Sequence, residues 1–355
     1  MLNNFKIRKL LQKLDYSMNN NNLKDASNIC DQILFIDSSN PQALFFKARI
    51  LVLQNNVDGG MDYYYKALQT DYFDVSKWVD EVMYYGDGDI DSNCYQSENR
   101  DEICLELSSL CLDKYQKNIS LSIYKSQSLC NLGKYEESLD SITLGFTPED
   151  GELYLFQCLG QCFPLNDLER WDDLLIASSN GLNINPEDPS LNYFKGLSLY
   201  YLGRINESEG FFNKYLLLTN NSKAYYYLSK IEFKRNNFKK ALKLINQTIE
   251  ISEKEQLESE DAGINDCDYF LKSLILYKLR KFDEAIRICD CLIEKEPENA
   301  KNHCLKAMIL FEEGDYEESL GFIQKTLDLN PDCEDAIELK EKLGTKMNNT
   351  WFEYY

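Results

Sequence analysis

Apolar residues recur three and four positions apart along most of this chain, in runs that short polar turns interrupt. That period belongs to amphipathic helices, whereas strands would alternate. In residues 299–331, Leu305, Ala307, Met308, Leu310 and Phe311 fall on one face, and Gly314 and Asp315 break the run. Tyr316, Ser319, Leu320, Ile323, Thr326 and Leu327 form a second run, which Asn330 and Pro331 close because proline cannot extend a helix. The pattern predicts a hairpin of two short helices. Neither helix can bury its apolar stripe alone, so the hairpin must stack on others like it.

The same pattern returns at regular intervals. The apolar residue four before the closing proline, Leu327, has equivalents at Leu34, Leu68, Leu112, Phe146, Leu182, Leu216, Ile249 and Ile293. In chain order the intervals are 34, 44, 34, 36, 34, 33, 44 and 34 residues. A period near thirty-four, lengthened twice by ten, predicts nine helical repeats with two decorated joints.

The Gly314-x-Tyr316 step, small Ser319 three residues further on, the apolar pair and the final Asn330-Pro331 resemble a tetratricopeptide repeat. The unit departs from that family at Ser319, where alanine is usual, and at His303, where the first helix normally carries an aromatic residue. The resemblance implies an all-α, right-handed superhelical solenoid of stacked helix-turn-helix repeats with a C-terminal capping helix. The repeats fall near 5–38, 41–72, 73–118, 119–150, 151–188, 189–221, 222–253, 266–298 and 299–332, with the cap at 334–346. An acidic insertion at 86–98 interrupts the third repeat, and a second occupies 254–265. The aromatic tail, 347–355, is either a recognition peptide or folds back on the cap.

The resemblance also implies where a ligand would lie, along the concave face lined by the first helices. In this register the inward positions are Tyr193, Leu197 and Tyr200 in repeat six and Lys223, Tyr226, Lys230, Phe233 and Lys234 in repeat seven. Phe270, Leu274 and Tyr277 follow in repeat eight. Lys223, Lys230 and Lys234 share one helical face, so a basic stripe runs between aromatics. Such a groove suits a peptide with apolar and acidic residues; the competing reading is that these aromatics only pack between neighbouring helices. The lysine-and-asparagine clamp by which some members of the family grip acidic tails is not found at these positions.

Repeat seven is basic within an acidic chain: residues 223–243 hold seven basic residues and one acid, and the segment after it is strongly acidic. That second insertion is a helical extension, a flexible joint or a mask over the basic repeat. In repeat five, Pro164 lies inside the expected first helix and should kink or break it after Phe163. In the first insertion Asp87, Asp89, Asp91, Asn93 and Glu98 have the spacing of calcium ligands in a helix-loop-helix site. Ser92 replaces the glycine that such a loop needs, and a plain solvated loop is the competing reading. Calcium is the one cofactor the residues suggest.

Net charge is −21 over 355 residues, which disfavours binding to nucleic acid. Twelve scattered cysteines lack zinc spacing and read as small apolar packing residues in a reducing compartment. Charges interrupt the apolar residues of the first fourteen positions, and no window is apolar enough to span a membrane, so a cytoplasmic protein is expected. The single histidine, His303, is expected to pack between helices. No phosphate loop, nucleophile elbow or paired metal ligands occur, so the expectation is a non-catalytic interaction scaffold rather than an enzyme.

Overall fold

The computed structural model describes residues 2–20, 22–54, 56–70, 100–114, 118–257 and 266–353. Among them every regular element is a helix. A first compact unit, Met1–Pro186, contains α1 (Leu2–Asn19), α2 (Leu23–Ile36), α3 (Pro41–Leu53), α4 (Val57–Leu68), α5 (Arg100–Lys114), α6 (Ile119–Asn131), α7 (Tyr135–Ile142), α8 (Glu152–Asp167) and α9 (Trp171–Ile184). A second, Glu187–Tyr355, contains α10 (Pro189–Tyr201), α11 (Ile205–Thr219), α12 (Ser222–Lys234), α13 (Phe238–Leu257), α14 (Asp266–Lys278), α15 (Phe282–Lys295), α16 (Ala300–Glu313), α17 (Tyr316–Leu329) and α18 (Glu334–Glu353).

Within each unit the helices pair as hairpins, and asparagines cap several of the helices. Asn22, Asn40, Asn56, Asn118, Asn221 and Asn299 each precede a helix and accept a hydrogen bond from a backbone N–H of its first turn. Those donors have no partner inside the helix, so each cap satisfies one of them.

The turn inside a hairpin is equally regular. Gly133, Glu169, Gly203, Asn236, Arg280 and Gly314 take φ of 73°, 56°, 78°, 62°, 60° and 101°. In each case the next residue returns its N–H to a carbonyl in the last turn of the first helix, as from Arg204 to Leu199 at 2.8 Å and from Asp315 to Leu310 at 3.0 Å. This left-handed cap closes the helix and reverses the chain.

Across the turn, small residues bring the two helices together. Buried serines donate to backbone carbonyls of the facing helix: Ser138 to Ser126 at 2.7 Å, Ser208 to Gly196 at 2.7 Å, and Ser229 to Ala241 at 2.9 Å. Ser273 reaches Ala285 at 3.1 Å and Ser319 reaches Ala307 at 2.9 Å. Serine at the usual alanine position is thus accommodated, because its hydroxyl is satisfied where the helices touch.

Two local expectations are corrected. Pro164 does not break the helix after Phe163, because α8 continues to Asp167. Pro164 opens the final turn, so the ladder loses a single donor near its end, and the Leu168 N–H still reaches the Pro164 carbonyl at 2.9 Å. In repeat four the second helix stops at Ile142, short of Phe146. Buried Gln157 of α8 instead accepts the N–H groups of Leu144 and Phe146 at 3.0 and 3.2 Å, satisfying backbone that has left the helix.

At the C-terminal end, Leu339 and Leu343 of α18 pack on Ala307 and Ile323 of the last hairpin. The helix runs on to Glu353, through part of the aromatic tail.

Candidate functional site

The second unit gathers tyrosines and lysines where side chains of α10 and α12 meet over α11, and glycine lets α11 approach α10. A Cβ on Gly196 would sit 3.1 Å from the Phe212 ring, so α11 packs close under α10. Fully buried Phe212 then supports Tyr227 of α12 in a parallel stack, with centroids 4.9 Å apart and planes 7° from parallel. Tyr193 and Tyr200 of α10 meet Tyr227 edge-on at 6.0 and 5.8 Å. Edge-to-face contacts of this kind fix ring orientation as well as burying area.

Lys230 comes one helical turn after Tyr226 and Tyr227, and its ammonium is surrounded by ring faces. Nζ lies 5.1 Å from the Tyr200 centroid, 5.8 Å from Tyr201, 5.4 Å from Tyr226 and 5.3 Å from Tyr227. Lys234 stands 4.1 Å over Tyr200, and Lys223 stands 6.0 Å over Tyr193. All are within cation–π range. Burial lowers the Lys230 pKa from its ordinary value, and the neighbouring Lys234 charge lowers it further. Burial also raises the phenols of Tyr193 and Tyr200 to about 12 and pushes those of Tyr226 and Tyr227 up further, so the rings stay neutral.

The ion pairs of this repeat lie elsewhere. Glu232, the single acid of α12, is 2 % exposed and pairs with Lys240 at 2.8 Å and Arg235 at 3.3 Å. Arg235 also reaches Glu209 at 2.8 Å and donates to the Asn206 side chain at 2.6 Å, tying α12 to α11. Burial would raise the Glu232 pKa, but hydrogen bonds from Lys240 and Asn237 and the charges of Lys240 and Arg235 together hold it below the ordinary range. The basic character of repeat seven is therefore divided: Arg235 and Lys240 serve the hairpin, and Lys223, Lys230 and Lys234 face the tyrosines.

Of the positions expected in the groove, Tyr193, Tyr200, Lys223, Tyr226, Lys230 and Lys234 form this cluster. Phe233 lies beside it but packs on Phe238 at 5.4 Å, within the core of α13 and α14. Phe270, Leu274 and Tyr277 pack against the core formed by α14, α15 and α16. Two members, Tyr201 and Tyr227, were not expected. Their signal is the consecutive tyrosines at 200–201 and 225–227, of which an inward-facing register admits only one per turn. Tyr201 is 46 % exposed and forms the open edge of the cluster.

Asp87, Asp89, Asp91, Asn93 and Glu98 lie outside the described residues, as does 258–265 of the second insertion. The first part of that insertion continues α13 to Leu257. Among the described residues no group of three or more His, Cys, Asp or Glu side chains is placed to hold a metal ion, and no helix is long and apolar enough to cross a membrane. His303, 4 % exposed, stacks on Phe322 at 5.9 Å while its Nε2 donates to the Pro297 carbonyl at 2.8 Å, so the imidazole is a helix-packing group.

Residues 270–332 match the tetratricopeptide repeat family model. No curated protein matches the chain. A tetratricopeptide repeat protein from Parabacteroides merdae ATCC 43184 shares the fold with a TM-score of 0.52 and 16% identity, over 76% of this chain and 98% of that one. YrrB, described as a TPR protein with an unusual peptide-binding site, aligns with a TM-score of 0.39 and 16% identity, over 67% of this chain and 99% of that one. The APC/C hetero-tetramer Cut9-Hcn1 gives a TM-score of 0.41 and 12% identity, over 93% of this chain and 74% of the matched one. At 16% identity the Parabacteroides protein shows a likeness of fold alone.

Proposed function

We propose that this chain of tetratricopeptide-type repeats is a non-catalytic interaction scaffold, and that the tyrosine-lysine face of α10 and α12 holds a partner segment bearing apolar and acidic residues. The observation behind this reading is the Lys230 ammonium, set among four tyrosine rings while the one carboxylate of its own helix is engaged by Arg235 and Lys240. A partly desolvated cation gains most from an incoming carboxylate, because the cost of stripping its water has already been met in folding. The rings around it offer apolar contact at little entropic cost, since tyrosine orders few torsions on binding.

The test uses fluorescein-labelled peptides that combine Asp or Glu with Phe or Leu, read by anisotropy. Lys230→Glu combined with Tyr226→Ala should weaken binding at least tenfold, roughly the loss of one charge-assisted contact and one aromatic anchor, while the helical circular dichroism stays intact. Unchanged affinity would remove the site assignment. Calcium-responsive regulation through Asp87, Asp89, Asp91, Asn93 and Glu98 is the alternative and rests on spacing alone; calorimetry with millimolar calcium decides it, and absence of heat removes it.

A further inference from the structure

We propose that Cys304 and Cys333 form an oxidative modification site, at which an intramolecular disulfide fastens the capping helix α18 to the last hairpin. Cys304 lies on α16 and is 6 % exposed; Cys333 immediately precedes α18 and is half-buried. Their sulfurs are 4.0 Å apart, with the Cys333 thiol directed at Cys304. A disulfide needs about 2 Å less. Cys304 is held in a helix, whereas Cys333 ends the turn that joins α17 to α18, so a change in the Cys333 side-chain torsion with adjustment of that turn can close the gap.

The two sulfurs differ in a way that assigns their roles. Cys333 caps α18: its carbonyl accepts the N–H groups of Ala336 and Ile337 at 3.1 and 3.0 Å. Cys333 is half-buried and so open to an oxidant, as a reactive cysteine must be. Burial pushes the Cys304 thiol up to about 12, and the neighbouring Cys333 and Asp335 act in the same direction. Cys333 is the attacking sulfur and Cys304 the resolving one.

With hydrogen peroxide as oxidant, the Cys333 thiolate attacks one peroxide oxygen, forming an S–O bond as the O–O bond breaks. The departing hydroxide takes a proton and leaves as water. Cys304 sulfur then attacks the sulfenic sulfur, forming the S–S bond and breaking S–O. Its proton leaves with the hydroxide as a second water. Each sulfur loses one electron, and peroxide gains two.

The disulfide would close a loop of about thirty residues around α17. It would also pin the start of α18, whose Leu339 and Leu343 cover Ala307 and Ile323. Oxidation would thus hold the start of α18 covalently to α16, beside the contacts of Leu339 and Leu343.

The experiment treats the full-length protein with hydrogen peroxide, blocks remaining thiols with iodoacetamide and digests it with trypsin. The expected product links peptide 302–306, NHCLK, to peptide 326–340, TLDLNPDCEDAIELK, with loss of about 2 Da. Its melting temperature should rise by several degrees, reversibly with dithiothreitol. In Cys333→Ser the linked peptide and the shift should both disappear, while the melting temperature without oxidant stays near that of the parent. Sulfinic or sulfonic acid at Cys333 with Cys304 fully alkylated would overturn the proposal. Pairing of Cys333 with any other cysteine would overturn it equally.

Discussion

Ser319 Oγ donates to the carbonyl of Ala307 at 2.9 Å, from the second helix of the last hairpin to the first, with the serine fully buried. The fully buried bond between the two helices satisfies the hydroxyl and leaves little room for a larger side chain there. Ser319→Ala should cost about 0.5–1 kcal/mol, the net worth of one neutral hydrogen bond. Ser319→Leu should cost more than about 2 kcal/mol, because the added carbons force the helices apart. Hydrogen exchange across α16 and α17 checks both: the alanine variant should retain nearly all protection and the leucine variant should lose it in this hairpin first.

Glu169 holds φ at 56° in the turn between α8 and α9, a position that glycine fills at Gly133, Gly203 and Gly314. The left-handed conformation costs an L-residue about 1–2 kcal/mol, and glycine returns part of that through its freer unfolded chain. Glu169→Gly should therefore stabilise the first unit by about 0.5 kcal/mol, read as a small rise in denaturation midpoint. A fall would show that the side chain makes a contact worth more than the strain.

Asp268, in the first turn of α14, is 2 % exposed, and burial raises its pKa from 3.8 to about 6. A folded-state pKa above the unfolded value means the fold binds the proton more tightly, so stability is greatest below about pH 4 and falls as pH rises through about 6. A shift of this size corresponds to at most about 3 kcal/mol lost at pH 7. The charge gains less than about 1 kcal/mol back from the helix dipole. Asp268→Asn should be more stable than the parent at pH 7 and equal to it near pH 4, by urea denaturation at the two values. Equal stability at both would refute the burial argument.

Burial and Lys234 lower the pKa of Lys230 from 10.5, so this lysine loses its charge before an exposed one does. If the tyrosine-lysine face binds acidic segments, affinity should decline on the alkaline side below pH 10.5, and raised salt should weaken it at pH 7. In Lys230→Met the alkaline decline should vanish with the lost affinity while the fold persists. Anisotropy titrations across pH provide the measurement.

The sequence alone determined the repeats. Apolar spacing, the Gly314-Asp315 and Asn330-Pro331 breaks and the near-constant period place the hairpins, because helix formation depends on neighbours three and four positions away. Local spacing failed where a distant side chain offered another partner: Gln157 accepts the N–H groups of Leu144 and Phe146, which lie beyond the end of the helix that the period extends to Phe146. It also failed at Pro164, where the outcome depended on how near the proline stands to the helix end.

Tertiary structure decided which aromatics and lysines meet. An inward register could name Tyr226 and Lys230, but Tyr227 joins them because Phe212, fifteen residues earlier, supplies a ring for it to stack on. Likewise, charge counting saw one basic stretch, whereas burial of Glu232 assigns Arg235 and Lys240 to the hairpin and leaves Lys230 among the tyrosines. Period follows from backbone geometry within a dozen residues; partnership follows from packing between helices, which no local pattern encodes.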